Sequence, residues 1–185
     1  MKSERLSIPE VIVLTPNRYG DARGFFSETF KAREMREAGI EHDFVQDNHS
    51  MSAAKGVLRG LHCQLAPHAQ GKLVRVVRGA IWDVAVDARR GSPSFGQHVA
   101  VELSAANWRQ LWIPPGFLHG FCTLEPDCEV VYKTTAYYDA TSERGVVWND
   151  PELAIPWPVA ADAVVLSEKD VLLPRWAEMS NWFEV

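Results

Sequence analysis

Two imidazoles, an ammonium and a guanidinium fall on or beside strand-like runs of this chain, with a small-residue turn beside each. Arg59-Gly60-Leu61-His62 comes first, and Gln70-Gly71-Lys72 follows across a short loop. Pro114-Pro115-Gly116-Phe117-Leu118-His119 completes the set, while Tyr132-Lys133 on a further strand reads by itself as an interior tyrosine with a satisfied hydroxyl. A histidine with a free pKa of ~6.5 is mostly neutral at pH 7 and can take a proton. A tyrosine near ~10 keeps its proton and can give one. Cations are seldom gathered inside a fold unless an anion is meant to sit among them. The residue types therefore predict acid–base work on, or hydrogen bonding to, a small anionic ligand. His42, His68 and His98 lack such company and read as ordinary packing or surface residues.

Elements must hold those groups in place, and the chain has the length for it. At 185 residues one domain is expected, spanning 1–185, with a core of ordinary size. A net charge of −5 argues against nucleic acid or an anionic membrane as partner. No apolar run approaches the ~20 residues that cross a bilayer, and the first residues lack the apolar stretch of a signal peptide. Cys63, Cys122 and Cys128 have no metal-binding or redox spacing, which suits reduced thiols and a cytoplasmic location. Cys122 and Cys128 are the one pair available to bond if the chain is exported.

Period-two alternation dominates the pattern. Strands are expected over 11–15, 24–30, 45–50, 73–77, 81–87, 98–103, 109–113, 120–124 and 129–137, with Arg78-Gly79 as a turn. One helix is expected over 31–38, stopped by Gly39, and a second short one near Trp176. The proline-rich stretch 151–158 reads as a surface loop. Many short strands with regular turns predict a mainly β protein, a sandwich or small barrel with short helices.

Pro114-x-Gly116-x-x-His119 matches a short signature of the cupin barrels, the double-stranded β-helix or jelly-roll fold. Metal-binding cupins carry His-x-His and a following glutamate at the partner motif. Here those positions read His62-Cys63-Gln64, and no glutamate follows before Glu102. Two imidazoles beside an ammonium make a poor cation site, since catalytic zinc or iron normally takes three protein ligands. No metal is expected.

Ordered blocks over nearly the whole chain carry a closer likeness. They run from Gly20-Asp21-Ala22-Arg23-Gly24-Phe25-Phe26 through Phe44-Val45-Gln46-Asp47-Asn48-His49-Ser50, Gly56-Val57-Leu58-Arg59-Gly60-Leu61-His62, Gln70-Gly71-Lys72-Leu73-Val74-Arg75 and Gln110-Leu111-Trp112-Ile113-Pro114 to Leu166-Ser167-Glu168-Lys169-Asp170. In these blocks the chain resembles the dTDP-4-dehydrorhamnose 3,5-epimerase family, metal-free cupins of the dTDP-L-rhamnose pathway. Cys63 departs from the family, which usually has tyrosine there.

The resemblance implies an isomerase that needs no cofactor, because the 4-keto group of the substrate acidifies C3 and C5. It implies His62 as base, Asp170 as its orienting carboxylate, Lys72 facing the enolate oxygen and Tyr132 as proton donor on the other face. His119 would touch the sugar, while Arg23 and Arg59 would bind the diphosphate. Glu28, Gln46 and Asn48 would hold the thymidine end, with Phe26 and Tyr138 stacking on thymine. Glu143 and Lys169 are either substrate-binding or a surface ion pair. A homodimer is implied too, in which the N-terminal segment with Arg23, Phe26 and Glu28 serves the partner's site. Three rivals stand beside this reading: an epimerase of one centre only, a metal-dependent cupin, and a non-catalytic sugar-binding barrel.

Overall fold

In a computed structural model, which describes residues 1–179 and 182–184, the chain folds as two facing β-sheets with two short helices. Fifteen strands follow in chain order. They are β1 (Lys2–Arg5), β2 (Ile12–Thr15), β3 (Tyr19–Asp21), β4 (Gly24–Phe26), β5 (Gln46–Ser52), β6 (Leu58–Gln64), β7 (Lys72–Arg78), β8 (Ala80–Asp87), β9 (Arg89–Arg90), β10 (His98–Ser104), β11 (Gln110–Ile113), β12 (Phe117–Thr123), β13 (Cys128–Thr134), β14 (Glu143–Gly145) and β15 (Phe183–Glu184). Helix α1 (Ala32–Glu37) lies between β4 and β5, and α2 (Glu168–Val171) follows β14. One sheet has the order β1-β2-β11-β7-β13-β5 and the other β10-β8-β12-β6-β14. This is the mainly β architecture that the strand pattern predicts, in the cupin-type jelly-roll form that the motif and the resemblance imply.

The core between the sheets is apolar over much of its length. Val74, Val76, Leu111, Ile113 and Val130 from the six-stranded sheet meet Ile81, Ala85, Val99, Leu103, Phe117 and Phe121 from the other. Two further clusters cover the outer faces. Met35, Ile40 and Trp112 pack under α1. Leu61, Val84, Val86 and Leu118 lie beneath the C-terminal wrap with Leu153 and Met179.

Several expected boundaries shift. Arg78-Gly79 is not a hairpin turn but a corner, because β7 and β8 belong to different sheets. The strand expected over 24–30 stops at Phe26, and the one expected from Gly120 already begins at Phe117. Helix α1 ends where Gly39 predicts: Gly39 N–H donates to the Arg36 carbonyl and Ile40 N–H to that of Met35, both at 2.9 Å. Met35 and Ile40 are both buried, which gives this end its apolar contact. Near Trp176 there is only a 3-10 turn, and 151–158 forms no helix or strand. The three cysteines are buried and unpaired, and no described helix is long and apolar enough to cross a membrane.

Candidate active site

Regular alternation would send Arg59 and His62, three residues apart, to opposite faces of β6. A β-bulge prevents this. His62 stands opposite His119 while Arg59 stands opposite Phe121, so the extra residue of β6 is absorbed between them. Gly60 makes the bulge possible with φ +120°, and a Cβ there would lie 2.6 Å from Gly120 Cα and 2.7 Å from the His119 carbonyl oxygen. The result is one wall on which Arg59, His62, His119 and Phe121 all face a cavity of about 470 Å³.

Helix α2 supplies the carboxylate. Ser167 caps it, its hydroxyl accepting the Asp170 N–H at 3.2 Å. The segment before it is tied to the barrel by a parallel bridge between Val57 and Val165, with Leu58 N–H donating to the Val165 carbonyl at 3.0 Å. Asp170 is thereby buried, 3 % exposed, with Oδ1 2.6 Å from His62 Nε2. Burial pushes this carboxyl up, but hydrogen bonds from His62, Ser167 and the Gly60 N–H, with the charge of His62, hold it below the usual range. Asp170 therefore stays ionised at neutral pH. It fixes the imidazole through Nε2 and leaves Nδ1 with no partner among the described residues.

Lys72 and Tyr132 come from the facing sheet. They sit on the neighbouring strands β7 and β13 and line the same cavity. Burial pushes the Lys72 ammonium below its ordinary value, partly offset by Cys63, Asp83 and Glu143. The Tyr132 phenol is raised, mainly by burial, with Arg59 pulling the other way. Burial likewise lifts the Cys63 thiol to about 12, so it stays a neutral S–H beside His62.

His119 forms a second imidazole–carboxylate pair. Its Nε2 lies 2.9 Å and 3.1 Å from the two oxygens of Asp83, which is wholly buried. Asp83 was not singled out from the sequence. In a strand reading apolar at 82, 84 and 86 it belongs to the more polar parity, which reads as a solvent face, yet that parity points between the sheets.

The remaining candidates divide into two groups. Arg59 and Lys169 line the main cavity, and Gln46, Asn48, Tyr138 and Glu143 line an adjoining pocket that shares His62, Lys72 and Tyr132. Arg59 is steadied by Ser52 Oγ at 3.3 Å and the Met51 carbonyl at 3.2 Å. Glu143 accepts from the Tyr138 hydroxyl at 2.9 Å and pairs with Lys169, so the ion pair forms at the rim of the site itself. Arg23, Phe26 and Glu28 reach neither pocket of their own chain. Arg23 pairs with Asp21 on the β3–β4 hairpin, Phe26 is 66 % exposed there, and Glu28 pairs with Lys31. Among the described residues no group of three or more His, Cys, Asp or Glu is placed to hold a metal ion.

This arrangement sets a carboxylate-oriented imidazole and a neutral phenol on facing sheets, with cations between and around them. It can remove a proton from one side of a ligand and return one to the other. Comparison with known proteins bears on which ligand. A family profile described as dTDP-4-dehydrorhamnose 3,5-epimerase matches residues 5–178. A Pseudomonas aeruginosa protein of that name is 57% identical over 171 residues, covering 92% of this chain and 93% of its own. The crystal structure of the Bacillus anthracis enzyme of that name, with TDP and PPi bound, superposes with a TM-score of 0.91 at 49% identity, covering 94% of this chain and 98% of its own. A Legionella pneumophila 3,5-epimerase in complex with dTDP-4-keto-L-rhamnose gives 0.87 at 48% identity, covering 95% and 98%.

Proposed function

This chain belongs to the dTDP-4-dehydrorhamnose 3,5-epimerase family, and we propose that residues 1–185 act as one catalytic domain in which His62 serves both inverted carbons. The reaction converts dTDP-4-dehydro-6-deoxy-D-glucose to dTDP-4-dehydro-L-rhamnose in dTDP-L-rhamnose biosynthesis. The observation that carries the assignment of roles is the 2.6 Å contact between His62 Nε2 and Asp170, inside a cavity that Tyr132 enters from the other sheet.

The ketone at C4 makes the hydrogens on C3 and C5 acidic, so one base beside that carbonyl can reach each in turn. His62 takes the proton through Nδ1, and Asp170 stabilises the imidazolium. Electrons move into the C4 oxygen, where Lys72 offsets the charge of the enolate, a role whose loss typically costs roughly 10²–10³ in rate. Tyr132 then protonates the same carbon from the opposite face, which inverts it, and solvent takes the proton from His62 and returns one to Tyr132 before the second carbon reacts. Asp83 holds His119 so that its free nitrogen meets the sugar.

Arg59 binds the diphosphate, Gln46 and Asn48 the nucleoside, and Tyr138 stacks on thymine beside Glu143 and Lys169. Arg23, Phe26 and Glu28 act in the neighbouring site of a homodimer, which fits their distance from the pockets of their own chain. We place the enzyme in the cytoplasm, where its nucleotide-sugar substrate is made.

The test is incubation with the 4-keto-6-deoxyglucose nucleotide in deuterated buffer without added metal, followed by NMR. Deuterium should appear at both C3 and C5. Label at one carbon alone would make the enzyme a single-centre epimerase, and binding without label would leave a sugar-binding barrel.

A further inference from the structure

Tyr138 is 57 % exposed, yet the backbone on both sides of it is pinned by side-chain amides. Gln64, 4 % exposed at the end of β6, uses three bonds for this. Its Nε2 donates to the Tyr137 carbonyl at 3.1 Å and to the His68 carbonyl at 2.7 Å, and its Oε1 accepts the Asp139 N–H at 2.9 Å. Gln46 Oε1 accepts the Tyr138 N–H itself at 3.1 Å. Gln70 Nε2 donates to the Ala136 carbonyl at 2.8 Å. Every residue from Ala136 to Asp139 is therefore held through its main chain by a glutamine.

Fixing a surface loop costs about 1–2 kcal/mol of backbone entropy per residue. An exposed ring recovers little of that by burial. Ordering of this kind gains its return when a ligand lands on a surface already in place. The buried amide is also fully committed: both N–H groups of Gln64 are used, so it has no donor left to meet substrate.

We infer that Gln64 is a positioning residue for nucleotide recognition, locking Tyr138 as a ready platform for the base of the dTDP-sugar. The inference rests on the reading that Tyr138 stacks on thymine. Gln64 lines the pocket beside Tyr138, but its amide is spent on the main chain, so its effect passes through the 136–139 backbone.

The test is a double-mutant cycle with the full-length enzyme, using dTDP affinity by calorimetry together with kcat and KM for the 4-keto sugar nucleotide. Tyr138→Ala should weaken dTDP binding by roughly 5–100-fold, the range for loss of one stacked base. Gln64→Met should weaken it at least ~5-fold and raise KM while kcat stays within about twofold, since only preorganisation is lost. In the Tyr138→Ala background Gln64→Met should add less than about twofold, because the two act on one contact.

Additive effects, or an unchanged dTDP affinity in Gln64→Met when Tyr138→Ala is impaired, would overturn the role of Gln64 alone. An unchanged affinity in Tyr138→Ala would overturn the stacking reading and this inference with it. If Gln64→Met does not fold, the half-buried Gln70→Met loosens the same loop and should show the same selective loss of dTDP binding. Unchanged binding in that variant would equally refute the clamp.

Discussion

His62 and Tyr132 stand on opposite walls, and substitutions should separate their contributions. His62→Ala should stop solvent exchange at both carbons, a loss of roughly 10²–10⁴-fold or more, read by NMR in deuterated buffer. Tyr132→Phe leaves the base in place, so net inversion should fall further than exchange. Equal losses would contradict abstraction before delivery, and exchange persisting at C3 without His62 would show that a second base exists. The alkaline limb of kcat/KM is expected to follow Lys72, the buried cation assigned to the enolate oxygen. Burial lowers the Lys72 ammonium and raises the Tyr132 phenol, so a limb below the ordinary lysine range points to Lys72. Activity should fall through that depressed pKa. Lys72→Arg should move the limb to higher pH, since a guanidinium keeps its charge, and Tyr132→Phe should leave its position unchanged.

Among the elements, the bulge in β6 decides which side chains share the cavity. Gly60→Ala would set a Cβ against Gly120 and the His119 carbonyl in a backbone region that L-residues avoid. A cost of ~2–3 kcal/mol is expected, lowering Tm by roughly 5–10 °C for a chain of this size. Activity at low temperature should fall as well, because a repaired ladder turns Arg59 away from His62; full activity would show that the bulge does not set their facing. The motifs made His62, Lys72 and His119 legible in the sequence, since turn residues flank them and alternation marks their strands, whereas Tyr132 alone reads as an interior tyrosine and stands out only through resemblance. The bulge was not legible, because a glycine in a strand gives no sign of how its neighbours will register. Nor was the direction of β8. Its apolar parity at 82, 84 and 86 faces the C-terminal wrap, while Asp83 and Asp87 point inward. Period two gives two faces and does not say which is inside. Asp170 was found through resemblance only, because a four-residue helix is too short to show periodicity.

At the scale of the whole molecule, the β3–β4 hairpin is exposed in a way one chain does not explain. Tyr19, Phe25 and Phe26 are more than half exposed, and the unpaired edge of β5 lies in the same sheet that carries Tyr132. If the hairpin completes the neighbouring site, two crippled variants should rescue each other. Arg23→Ala and His62→Ala, each nearly inactive alone, should on mixing and re-annealing regain about a quarter of wild-type activity, from one intact site in each mixed dimer. No recovery, with mixed dimers shown by mass spectrometry, would place Arg23 in its own chain's site or outside catalysis. The partnership of His62 with Asp170 has another consequence, for they are 108 positions apart. A pairing so distant along the chain carries a large loop-closure cost. A ribosome that has released β13 has already issued His62, Lys72 and Tyr132, but not the segment 165–170 that completes the cavity and supplies the partner of His62. Any chain cut short before that segment lacks the partner of His62, whatever part of its sheets has formed.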